Sequence, residues 1–129
     1  MGHKEWSDLY KDLVYWETEL DKSNTKEMQE VFDMQKSEAN TEFNKFVIKN
    51  YKNWLKNEAD APIMSHTLLK NKVLNLLKQN KPTFVILIDN LRFDQWKSIQ
   101  PLIAQNFRTE EEDVFYSILP TATQYSRNA

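Results

Sequence analysis

Three oxygen-bearing side chains stand where a fold could use them for chemistry: Asp89, Thr121 and Thr123. Asp89 closes the apolar run Thr83-Phe84-Val85-Ile86-Leu87-Ile88. Such a β-branched, continuous run has the form of a strand buried on both faces of a parallel sheet, and open α/β sheets hold ligands at the carboxyl ends of their strands. An ionised carboxylate there is costly without a partner, so a metal cation or an arginine is the natural compensation, and Arg92 is close in sequence. The plainer reading is that Asp89 caps the next helix. Asp94 reads as an acidic residue of a first helical turn, favoured by the helix dipole.

Thr121 and Thr123 follow a second apolar segment, Val114-Phe115-Tyr116-Ser117-Ile118-Leu119, and lie at or just before a helix start. There a hydroxyl sits near unsatisfied backbone N–H groups and the positive end of the dipole, which stabilise an alkoxide or bind a phosphate. The alternative is an ordinary N-cap threonine. If the two segments are neighbouring parallel strands, their ends bring Asp89 and a threonine together. No other ligand set is apparent. Cysteine is absent, His3 belongs to the Met-Gly-His start, and His66 reads as a surface residue.

The elements that must position these groups divide the chain in two. Trp6, Leu9, Tyr10, Leu13, Val14, Trp16 and Leu20 recur at helical steps and predict a helix over about residues 4–21. Asn24 and Glu27 form a plausible capping box for a second helix through Met28, Val31, Phe32, Phe43, Phe46, Val47, Tyr51 and Trp54. Its centre, Lys36-Ser37-Glu38-Ala39-Asn40-Thr41, is polar on every side and reads as a solvated stretch rather than a hinge. Pro62 stops the helix, and Ser65 caps a third one carrying Leu68, Leu69, Val73, Leu76 and Leu77. Three facing stripes predict a small three-helix bundle over residues 1–80.

From residue 81 the pattern predicts strand Phe84–Ile88, a helix from about Phe93 to Gln105 facing the sheet, and strand Val114–Leu119. Pro101 either kinks that helix or begins another. Strand, helix and strand make a right-handed parallel unit. The fold class is therefore mixed: an N-terminal three-helix bundle, then the first β-α-β unit of a parallel-sheet α/β domain over residues 81–129, cut short. Two strands alone leave unpaired edges, so self-association or domain swapping is expected.

Composition narrows the function classes. Only one glycine occurs among 129 residues, where average usage predicts roughly nine, and a complete α/β enzyme rarely manages its turns with so few. A net charge of −2 gives no footprint for nucleic acid, and the first 60 residues hold 9 Lys against 13 acidic side chains. The longest apolar run is far short of a membrane span, and no signal peptide is visible.

The strand and turn Val85-Ile86-Leu87-Ile88-Asp89-Asn90-Leu91-Arg92-Phe93-Asp94-Gln95-Trp96, followed by Ile118-Leu119-Pro120-Thr121-Ala122-Thr123-Gln124-Tyr125-Ser126-Arg127-Asn128, closely resembles the start of the PglZ domain, a branch of the alkaline phosphatase superfamily. The likeness spans about residues 82–129 and is strongest to PorX-type response regulators of Bacteroidetes, which regulate type IX secretion. The helices before it resemble the bundle that joins receiver and PglZ domains in those proteins. The resemblance implies a cytoplasmic two-component regulator, driven by a sensor kinase, whose output is a zinc-dependent phosphoesterase acting on a phosphate ester. In it Asp89 is a metal ligand and Thr123 the metal-contacting nucleophile, with Thr121 the second choice. The remaining Asp and His ligands are expected outside this chain, so the segment alone is expected to bind no zinc and to be inactive. The alternative class is a helical signalling or dimerisation module beside a catalytically silent α/β part.

Overall fold

The computed structural model describes residues 1–23 and 25–126. Two long helices dominate it, α1 (His3–Ser23) and α2 (Lys26–Trp54). They pack antiparallel: Leu20 shares a cleft with Met28 and Phe32 near the turn, Glu17 pairs with Lys36, and Trp6 meets Phe43 and Phe46 further along. The proposed cap Asn24 lies outside the described residues. Thr25 stands at the N-cap position in extended conformation without a side-chain cap bond. As the sequence suggests, Ser37, Glu38, Asn40 and Thr41 are exposed.

The core of the hairpin is aromatic. Trp6 lies 5.3 Å from Phe43, Phe46 lies 5.4 Å from Trp54, and Trp54 lies 5.4 Å from Tyr116, all edge-on. Each such pair adds about 0.5–1.5 kcal/mol beyond the burial of its area. Trp6, Val14, Leu20, Phe32, Trp54 and Met64 are buried.

α2 ends at Trp54, before Pro62, where the Asn53 carbonyl accepts from the N–H groups of Lys56 and Asn57 at 3.0 and 2.9 Å. The third helical stretch runs through α3 (Ser65–Leu68), a π-helical turn (Leu69–Val73) and α4 (Leu74–Leu77). Its N-cap is Met64 rather than Ser65: the Met64 N–H donates to Thr67 Oγ1 at 3.0 Å. Met64 is only 1% exposed and shares a small cavity with Trp54 and Thr67, which seats this stretch at the Trp54 end of the hairpin. Leu69, Leu74, Leu76 and Leu77 remain exposed, so much of the expected third stripe faces outward.

The helix expected over 93–105 is α5 (Phe93–Ile103), and Pro101 sits in its last turn without ending it. It packs on α1, with Phe93 5.9 Å from Tyr10, instead of on a sheet. The β-α-β unit is not formed among the described residues. Phe84 and Ile86 are 89% and 81% exposed, and the run 84–88 joins no ladder. Val114–Leu119 makes a single parallel bridge, between Tyr116 and Met64. The physical reason is local: a buried parallel strand needs partners on both edges, and here the second segment is held by the helices instead. A short final helix, α6 (Thr123–Ser126), follows.

Candidate functional site

Asp89 is exposed at the end of the extended run, directly before Asn90, whose φ of 60° turns the backbone through the left-handed region. Asparagine tolerates this conformation better than most residues. Arg92 forks onto Asp94, with Nε 3.0 Å from one carboxylate oxygen and Nη2 2.8 Å from the other. The Arg92 guanidinium holds the Asp94 carboxyl down at about 2. Asp94 thus has a second role besides its place in the first turn of α5. The Arg92 N–H donates to Gln95 Oε1 at 3.1 Å, which closes that turn.

On the other side, the segment 114–119 lies along the helical hairpin. The Tyr116 N–H donates to the Ile63 carbonyl at 2.9 Å, and the Ser65 N–H donates to the Tyr116 carbonyl at 3.0 Å. The Ile118 N–H reaches Ser65 Oγ at 3.3 Å, and the Leu119 N–H reaches the Tyr51 hydroxyl oxygen at 2.7 Å. The Tyr116 hydroxyl donates to the His3 carbonyl at 2.7 Å. Burial pushes the Tyr116 phenol above its ordinary value, against a lowering contact with Ser7. His3 therefore has structural weight despite its place in the chain's opening residues.

The acidic turn before this segment is a clamp. Lys72 meets Glu111 at 2.5 Å and Asp113 at 3.6 Å, and Lys11 approaches Asp113 at 3.9 Å. Glu112 accepts from Trp96 Nε1 at 2.6 Å and from Lys97 Nζ at 3.1 Å. Burial raises the Glu112 carboxyl, but these donors outweigh it and leave the group below its ordinary value.

Between α1, α2 and residues 114–121 runs an apolar cleft of about 520 Å3, bordered by Tyr10, Phe43, Tyr51, Tyr116 and Thr121. Thr121 thus lies at its edge, and its carbonyl accepts from Ser126 Oγ at 3.4 Å. Thr123 is the exposed first residue of α6. No sheet pairing joins the Asp89 end of the first run to the Thr121 end of the second among the described residues. Nor do three or more His, Asp or Glu side chains gather there as a metal site. A carboxylate and hydroxyls are hard donors of a kind zinc accepts, but their number falls short of the four that zinc usually takes. Arg127 and Asn128, the end of the second motif, lie outside the described residues. His66 is exposed and belongs to neither cluster.

Two family models match the chain, one on each side of the loop and helix start around Pro62. Residues 1–55 match the PorX response regulator linker domain, and residues 68–129 match the BREX system PglZ alkaline phosphatase-like domain. A PorX-type linker segment thus precedes a PglZ-like segment in this chain. The PglZ match begins at residue 68, inside the third helical stretch, well before the motif resemblance that starts at Pro82. Both motifs, with Asp89, Thr121 and Thr123, fall within the PglZ segment, while α1 and all of α2 fall within the linker. No curated protein was found to match the chain. No helix among the described residues is long and apolar enough to cross a membrane.

Sequence reasoning missed Tyr51, Ser65 and Tyr116 as the residues that fix the approach to the threonines. Their partners are 53 and 68 residues away for Ser65 and Tyr51, so no local spacing signals them.

Proposed function

We propose that this chain is the linker and first part of the output domain of a response regulator whose output is a metal-dependent phosphoesterase. The supporting observation is the PglZ match over residues 68–129, which carries an aspartate after an apolar run and the Pro-Thr-Ala-Thr sequence in the family's order. Asp89 contributes a carboxylate ligand to zinc, and Thr123 is the nucleophile, with Thr121 as the second choice. The bound cation would lower the pKa of a neighbouring hydroxyl and offset charge on the phosphoryl group. The exposure of Asp89 and Thr123 suits groups that meet partners beyond those described here. The other metal ligands, the receiver that takes phosphate from a sensor kinase, and the neighbours that would order Phe84–Ile88 and Val114–Leu119 as parallel strands are supplied by other parts of the regulator. Location in the cytoplasm and a role in type IX secretion belong to the same reading.

The test is turnover of phosphomonoester or phosphodiester substrates by the full-length protein with zinc. Thr123→Val should abolish it while leaving the fold intact, because valine keeps the shape of threonine without the hydroxyl. Asp89→Asn should weaken zinc binding, since the amide keeps an oxygen and loses the charge. The 129-residue chain alone should be inactive.

A further inference from the structure

Two of the bonds that hold residues 116–119, Leu119 to Tyr51 and Tyr116 to His3, cross from one family segment to the other. Tyr51 belongs to α2 and the PorX-type linker, and Leu119 to the PglZ segment, immediately before Pro120-Thr121-Ala122-Thr123. Proline has no backbone N–H, so the Leu119 N–H is the last amide donor before Thr121. That donor ends on the Tyr51 hydroxyl at 2.7 Å. The Tyr51 side chain borders the same cleft as Thr121. The next anchors back along the chain, Ser65 Oγ to Ile118 and Ile63 to Tyr116, lie beyond the linker match.

We infer that Tyr51 is a positioning residue, through which the linker helix α2 sets the placement of the Pro-Thr-Ala-Thr turn. The inference rests on the reading of Thr121 and Thr123 as site residues and adds to it how the linker reaches them. Tyr51 does not touch the reacting groups; it fixes the backbone one residue before Pro120. A rotation or axial shift of α2 would carry the phenol with it and either drag the turn or release it. The backbone pairing at Met64 and Tyr116 keeps the rest of the segment in place, so the response is confined to the turn.

The test is residue-resolved amide hydrogen exchange, with amide chemical shifts, on the 129-residue chain. In the unaltered chain, the Leu119 amide should exchange more slowly than an unprotected amide in the same local sequence, since its N–H is held by Tyr51. In Tyr51→Phe the phenyl ring remains and the acceptor is lost. Leu119 exchange should then accelerate by about 2- to 10-fold, the worth of one hydrogen bond. The Thr121 and Thr123 amide resonances should shift, with exchange through α1 and α2 unchanged. Tyr15→Phe, which removes an exposed phenol from α1, should move none of these. Equal Leu119 exchange in Tyr51→Phe and the unaltered chain would overturn the inference, as would acceleration spread evenly over both helices. Should Tyr51→Phe fail to fold, the unaltered chain still decides: Leu119 exchanging at the rate of an unprotected amide would refute it. None of these readouts needs zinc or turnover, so failure of the phosphoesterase reading would appear separately.

Discussion

At the scale of single residues, Asp94 shows how local chemistry overrides a simple role assignment. Its position in the first turn of α5 is the one the dipole favours, yet its strongest partner is the side chain two residues before it. The ordinary value of 3.8 falls to about 2 because Arg92 donates two hydrogen bonds to the charged form. The folded carboxyl is the depressed one, so the interaction contributes fully above pH 3.8 and is lost as pH falls through about 2. Both groups are solvent-exposed, and the stabilising effect is small. Carboxyl NMR titration should find Asp94 near 2, and Arg92→Ala should return it close to 3.8; an unchanged titration in Arg92→Ala would mean that another contact sets it. Asp89, Thr121 and Thr123 were legible from the sequence as candidates because a carboxylate after an apolar run and hydroxyls before a helix are local patterns. Their support was not legible, because Tyr51 and Ser65 come from distant turns of chain and carry no motif.

At the scale of elements, the 3.6-residue pattern gave the helices to within a few residues, since burial of one stripe is enough to form them. The exception at the third stretch is instructive. Serine at residue 65 has the right type for a cap, but Met64 takes the cap position because Thr67 serves its N–H and Ser65 turns to Ile118. Apolar runs are less decisive. Phe84–Ile88 has strand composition, but strand pairing depends on partners that sequence composition does not supply. Its exposure leads us to expect pairing between copies of the chain. Ile86→Lys should reduce association in sedimentation velocity without lowering the helical signal; an unchanged monomer fraction would place association elsewhere. The aromatic cluster predicts the opposite kind of effect. Trp54 is buried against Phe46 and Tyr116, so Trp54→Ala should cost about 3–5 kcal/mol in urea unfolding and loosen residues 114–119 as well as α2. A cost below about 1 kcal/mol would show that the cluster does not hold the hairpin and the segment together.

At the scale of the whole molecule, the two family segments are interlocked rather than strung in series. α5 of the PglZ segment packs on α1 of the linker, and residues 114–119 lie across the linker hairpin through Tyr51, Tyr116 and the pairing at Met64. The change of period near Pro82 marks where the regular helical pattern gives way, but the β-α-β unit it predicted does not form among the described residues. The interlocking was not legible in the sequence, because it depends on hydrogen bonds and ring contacts between residues more than fifty positions apart. For a signalling protein such contacts offer a route from helix displacement to a catalytic turn, and that route matters only if the turn is catalytic. The most direct measurement is therefore hydrolysis of phosphate esters by the full-length regulator with zinc, comparing the unaltered protein with Thr123→Val and Thr121→Val. Loss of turnover in Thr123→Val with an intact fold is the predicted result. Loss only in Thr121→Val would move the nucleophile to Thr121, and full turnover in both variants would contradict the phosphoesterase account.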